Sequence, residues 1–126
     1  KYKNILIGGF EGSIRYNWNP KSKQYTNFEM KIKIMKMKPS LLKNRLFNGR
    51  GIDILVTHAP PFGIHDGKDR CHTGFKPYLK FMEKYKPKYL LHGHVHLYDN
   101  NATWQTKYHE TTVINAYGNR VIELDL

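Results

Sequence analysis

The sequence predicts an α/β layer structure, and three features carry that expectation. Short runs rich in β-branched residues, such as "IDILVT" at 52–57, have the length and composition of buried strands. Phe75, Tyr78, Leu79, Met82 and Tyr85 recur at i, i+3, i+4, i+7 and i+10, the spacing of an amphipathic helix. The elements follow one another as strand–helix–strand–helix–strand and then a hairpin, the order of a layered α/β domain.

From the N-terminus, "NILIGGF" (4–10) reads as a buried strand running into a glycine pair, and "SIRYNW" (13–18) as a second strand after a Glu11-Gly12 turn. "NPKSKQY" (19–25) reads as a polar loop. Thr26-Asn27-Phe28-Glu29 has the form of a capping box, in which Thr and Glu each satisfy an orphan amide at a helix start. The segment that follows carries two periods at once. Met30, Ile32 and Ile34 alternate as in a strand, whereas Phe28, Ile32 and Met35 form a helical stripe. The capping box and the stop at Pro39 favour a helix, with a short second helix in "LLKNRLF" ending at Asn48-Gly49.

"IDILVT" ends at His58 and opens a long irregular loop, 59–74, of a length that in compact domains is often functional. The amphipathic helix from Phe75 stops before Pro87, and "KYLL" (88–91) is the next strand. "TTVINAY" (111–117) and "RVIELDL" (120–126) read as a terminal hairpin across Gly118-Asn119.

The 126 residues amount to one domain, 1–126, and the 40% apolar content suits a globular chain. No apolar run approaches the ~20 residues of a membrane span, so no membrane partner is expected. The lone Cys71 cannot form an internal disulfide, which makes the reducing cytosol the expected compartment and Cys71 itself a bystander thiol. The chain opens on "KYKNILIGGF", without an initiator methionine and with a strand already under way, and reads as part of a longer protein.

Charge and histidine divide unequally. Residues 1–50 hold twelve Lys/Arg against Glu11 and Glu29, a balance of +10, and residues 51–126 hold nine against eight, a balance of +1. All seven histidines follow position 50, six of them between His58 and His96. A basic half beside a histidine-rich half suggests an anionic partner near a metal or acid–base site. In layered α/β folds, ligands bind beyond the carboxyl ends of the strands. His58 follows "IDILVT", and His92, His94 and His96 follow "KYLL", so neighbouring strands would bring both groups to one edge. Neutral imidazole is the commonest metal ligand near neutral pH, and the spacing therefore predicts a metal site.

"DILVTHAPP", followed some thirty-five residues later by "HGHVH", resembles the second half of the calcineurin-like metallophosphoesterases. "LIGGFEGSIRYN" and "TTVINAYGNRVIEL" resemble the same family, so the likeness covers nearly the whole chain. It implies the C-terminal half of an α/β sandwich of mixed sheets flanked by helices. It also implies that His58 and His94 share one divalent ion (Mn, Fe, Zn or similar) and that His96 holds a second. His92 has no ligand role in the family pattern. Asn115 matches an Asn that the family keeps after its last motif.

The family's earlier motifs, D-x-H, G-D and G-N-H-D/E, are not found before "LIGGFEGS". They supply the bridging Asp, further ligands and the histidine proposed as general acid. Two divalent ions ~3.5 Å apart repel by roughly 20 kcal/mol at an effective dielectric of ~20. Neutral imidazoles offset none of this, and Asp53, Asp66, Asp69 and Asp99 match no family ligand position. The expectation is therefore a metal-dependent hydrolase of phosphomono- or phosphodiesters in which this chain supplies imidazoles, holds no catalytic residue of its own and is inactive alone.

Arg70 and His72, just before a helix N-terminus that favours anions, are candidates for contact with a substrate phosphate, and His65 shares their loop. The surplus in residues 1–50 leaves two alternatives: a nuclease of the same family acting on nucleic acid, or a non-catalytic nucleic-acid or anion-binding module. Trp18, Trp104 and the tyrosines show no stacking pattern of a single-strand reader. A half-sandwich also exposes apolar sheet surface, which predicts poor solubility or self-association of the isolated chain.

Overall fold

A computed structural model describes residues 4–19, 21–95, 103–118 and 120–126. His96 and Asn119 lie outside the described residues. The chain forms β1 (Ile7–Phe10), β2 (Ser13–Ile14), β3 (Gln24–Tyr25), α1 (Asn27–Asn48), β4 (Ile54–Thr57), α2 (Lys76–Tyr85), β5 (Tyr89–His92), β6 (Gln105–Tyr108) and β7 (Thr111–Asn115), with a 3-10 turn at Arg70–His72. The main sheet has the order β1-β4-β5-β7-β6. Its first four strands are parallel, and β6 pairs antiparallel with β7 at the edge. This is the α/β layering that the pattern predicts, in the mixed sheet flanked by helices that the resemblance implies.

Leu55, Leu90 and Val113 are in register across β4, β5 and β7 and are fully buried, together with Met30, Tyr78, Phe81 and Met82 of the helices. A Cβ on Gly8, in the same row, would lie 3.1 Å from the tip of Ile52 and 3.3 Å from the tip of Met37 of α1. The opposite face is less covered, with Ile7 and Val56 48% and 44% exposed. Among the described residues no helix is long and apolar enough to cross a membrane.

Four expectations are corrected. Pro39 does not divide the helical region, and α1 is one helix from its Thr26 capping box to Gly49, whose left-handed backbone donates to the Arg45 carbonyl. Pro39 and Met35 are both exposed, so the Met35 carbonyl that lacks a partner can be solvated. The buried stripe of α1 is Met30, Ile34 and Leu41, not Phe28, Ile32 and Met35. The supposed loop 19–25 contains β3, which pairs parallel with β2, and "SIRYNW" contributes only Ser13–Ile14. Buried Gln24 explains the pairing, because its side chain accepts from the Tyr16 and Asn17 amides at 3.0 and 3.2 Å.

The terminal hairpin is shifted as well. β7 pairs with β6, which precedes it, and residues 120–126 form no strand. β6, with its sequence QTKY, is a polar edge strand and carries little hydrophobic signal.

Candidate metal and phosphoester site

Because β1, β4, β5 and β7 are parallel, their carboxyl ends share one edge. Three backbone bonds tie the segments leaving it: His58 N–H to the Phe10 carbonyl (3.3 Å), Gly93 N–H to the His58 carbonyl (3.0 Å) and Ala116 N–H to the His92 carbonyl (2.7 Å). His58 and the 93–95 turn are therefore held side by side, as strand adjacency predicts. Gly93 meets nothing closer than the His58 carbonyl, 3.9 Å from an added Cβ. The left-handed backbone of the turn falls instead on His94, at φ 66°.

His58 Nε2 lies 3.0 Å from His94 Nδ1. The other His94 nitrogen, Nε2, lies 2.6 Å from the Cys71 carbonyl, which can only accept, so the proton is on Nε2 and the Nδ1 lone pair faces His58. Two imidazole nitrogens bound ~2.1 Å from one ion at 90–109° lie roughly 3.0–3.4 Å apart. The pair fits a single divalent ion. The His58 pKa is lowered by partial desolvation and, secondarily, by His94, a direction that favours the ligand-competent neutral form.

His92 points elsewhere. It is 2% exposed, its Nε2 lies 3.0 Å from His65 Nδ1, and His65 Nε2 lies 2.7 Å from Thr106 Oγ1. Burial pushes the His92 pKa down to about 4 and also lowers that of His65. This neutral pair links the long loop to β5 and β6. Asn115, fully buried at the end of β7, donates through Nδ2 to the Val95 carbonyl at 2.9 Å and accepts from the Tyr117 amide at 3.0 Å, which clamps the turn carrying His94.

The loop after His58 is stapled along its length. Asp66 accepts from the Gly63 and Gly74 amides at 3.0 and 2.9 Å, and a Cβ on Gly74 would collide with the Pro61 and Pro60 carbonyls. Arg70 donates from Nε to the Arg15 carbonyl at 3.0 Å, anchoring the loop beside β2. The α2 amide at Lys76 is capped by Asn27 Oδ1 at 3.0 Å.

Sequence reasoning gave no role to Asp69 or Cys71, yet Asp69, Cys71 and His72 bring one potential ligand atom each to within 4.8 Å of one another. Asp69 accepts from Cys71 at 2.9 Å and from His72 Nδ1 at 2.6 Å; these two bonds hold its carboxyl below the usual range, and the first raises the Cys71 thiol. The His72 ring is 4.8 Å from that of His94, so the loop carries a carboxylate toward the imidazole pair. Only the fold reveals this, since the contact is set by the path of the loop and not by a motif. His96 lies outside the described residues.

One solved structure superposes with a TM-score of 0.61 at 16% identity, covering 93% of this chain and 42% of its own. A second, TT1561 of Thermus thermophilus, gives 0.54 at 14% identity, covering 90% and 44%. This chain thus spans less than half the length of those it resembles, and at such identities the likeness is one of fold. No curated protein matches it. Residues 5–98, three quarters of the chain and inclusive of both histidine segments, match the sequence model of the calcineurin-like phosphoesterases, a family of metal-dependent phosphoester hydrolases. The chain belongs to the calcineurin-like phosphoesterase family.

Proposed function

We propose that this chain contributes imidazoles to the dinuclear metal centre of a cytosolic phosphomono- or phosphodiester hydrolase, with His58 and His94 on one divalent ion and His96 on the other. The supporting observation is the 3.0 Å approach of His58 Nε2 to His94 Nδ1 at the carboxyl edge of the sheet. When bound, such ions polarise the phosphoryl group and lower the pKa of a water. The Cys71 carbonyl orients His94, and partial desolvation shifts His58 toward its neutral form. Arg70 and His72 meet the substrate phosphate. The Arg15 carbonyl engages Arg70 through Nε, and the guanidinium has four further N–H donors. Neutral imidazoles do not offset the roughly 20 kcal/mol repulsion of two divalent ions, and the Asp69 carboxylate is engaged by Cys71 and His72, so the chain alone binds one ion and turns nothing over.

Calorimetric titration with Mn²⁺ or Zn²⁺ should show one weak site that His58→Ala and His94→Ala each weaken by about tenfold or more. Saturating metal should give no hydrolysis of bis(p-nitrophenyl) phosphate. Unchanged affinity in both variants would remove these residues from the site, and metal-dependent turnover by the chain alone would overturn its incompleteness. A nuclease would need the basic residues to line the approach to His58 and His94. Lys31 and Lys38 line a groove between α1 and α2 whose lining residues include neither His58 nor His94.

A further inference from the structure

Helix α1 carries two apolar stripes. Met30, Ile34 and Leu41 are buried in the core. The second runs through Phe28, Ile32, Met35, Leu42 and Leu46, with Pro39 between Met35 and Leu42, in the alternating four-three spacing of a heptad seam. Every one of these positions is exposed; Phe28, Met35 and Leu46 are 70%, 51% and 82% accessible. Scattered apolar residues on a surface need no explanation, but an aligned seam of them on a 22-residue helix does. At 1.5 Å per residue the seam is ~27 Å long.

Its N-terminal half does not stand alone. Phe28 and Met35 form one wall of a groove of about 680 Å³ whose other wall is α2, with Pro77, Phe81 and Tyr85. Lys31 and Lys38 on one side and Lys76, Lys80 and Lys84 on the other rim it, and no Asp or Glu is among its lining residues. Lys33, by contrast, is turned away, over the Tyr25 ring and toward Glu11.

Charge decides what this surface fits. A second copy would lay one α1, with six Lys/Arg against Glu29 alone, on another of the same sign. A concave groove between two helices also suits a cylinder better than a flat lipid surface. We propose that the groove between α1 and α2, continued along the exposed seam, binds an acidic amphipathic helix. Apolar residues of that partner at i, i+3, i+4 and i+7 would seat on Phe28 and Met35, and its flanking carboxylates would meet the lysine rim. Neither His58 nor His94 lines this groove, and the inference does not depend on the metal assignment.

The test uses a fluorescein-labelled helical peptide with leucine at heptad a and d positions and glutamate elsewhere, titrated with the protein by fluorescence anisotropy at near-physiological salt. The peptide should bind. A peptide with lysine in place of glutamate, and an acidic peptide of the same composition scrambled to lose its apolar face, should each bind about tenfold more weakly or worse. Phe28→Ser with Met35→Ser, and separately Lys31→Glu with Lys38→Glu, should produce a similar loss while thermal melts confirm an intact fold; all four side chains are exposed. Equal binding of the scrambled peptide would overturn the proposal in favour of charge alone. Absence of peptide binding would also overturn it, with the seam variants then separating two other occupants: a second copy, if they abolish a dimer in sedimentation, or an anionic membrane, if they abolish binding to phosphatidylserine vesicles.

Discussion

His58 Nε2 and His94 Nδ1 are 3.0 Å apart across 36 positions of sequence. Two parallel strands in register produce the approach: Val56 pairs with Leu91, so the residues leaving both strands begin level, and Gly93 N–H then bonds to the His58 carbonyl. His94 turns back in the left-handed region, a conformation that costs a non-glycine residue roughly 1–2 kcal/mol. The turn is retained because Val95 N–H bonds to the Gly93 carbonyl at 2.8 Å and Asn115 holds the Val95 carbonyl. Strain is thus located on the residue whose Nδ1 faces His58.

Asn115→Ala tests this support. It strands the Val95 carbonyl and the Tyr117 amide, at a cost of about 1–3 kcal/mol in urea unfolding. Mn²⁺ affinity should fall by about tenfold or more, the usual effect of losing an outer partner. Asn115→Asp keeps an acceptor for the Tyr117 amide but cannot donate to the Val95 carbonyl, so its Mn²⁺ affinity should fall as well. Native metal affinity in a folded Asn115→Ala protein would mean that the clamp does not set the ligand geometry.

At the start of α1, Thr26 accepts from the Glu29 amide at 3.1 Å and Glu29 accepts from the Thr26 amide at 3.0 Å. Thr26→Ala should lower stability by ~1 kcal/mol, read as a shift in the urea midpoint, and Thr26→Ser should restore it. Equal midpoints for all three proteins would show that packing of α1 alone fixes its start.

What was legible in the sequence follows from where burial imposes a single period. β4, β5 and α2 were readable because each has one buried pattern, and His58 and His94 were readable with them as residues at adjacent strand ends. α1 was misread at Pro39 and in its buried face because it has two apolar stripes, and the one that catches the eye is the exposed one. β3 and β6 were missed for a different reason. Gln24 and the QTKY edge are polar segments recruited by hydrogen bonding, which leaves no hydrophobic period. The Cys71 carbonyl that orients His94 could not be read at all, since a backbone acceptor carries no residue signature.

Ile7 and Val56 are about half exposed on the sheet face away from the helices, an apolar patch that invites association. The protein should sediment as a concentration-dependent mixture of species, and Val56→Thr should shift it toward monomer while Met35→Ser leaves it unchanged. A monodisperse monomer at all concentrations, melting cooperatively, would refute the expectation.

Asp53, which matched no ligand position, is a structural carboxylate. It is 5% exposed and accepts from the Leu6 amide at 2.9 Å and from Arg50 Nε and Nη2 at 2.5 and 3.0 Å, fastening β4 to the segment before β1. Burial alone would raise its pKa, but the Arg50 and Leu6 hydrogen bonds, with the charges of Arg50 and Lys88, outweigh it and bring the value below 3.8. A carboxyl whose folded pKa is depressed contributes stability that is present above the unfolded value and is lost as pH falls through the folded one. Asp53→Asn should therefore cost about 1–3 kcal/mol at neutral pH. In urea melts the gap between wild type and variant should stay constant down to about pH 4 and narrow below it. A gap that persists undiminished at lower pH would assign the loss to the amide NH2 that Asn sets against the Leu6 and Arg50 donors and not to the charge of Asp53.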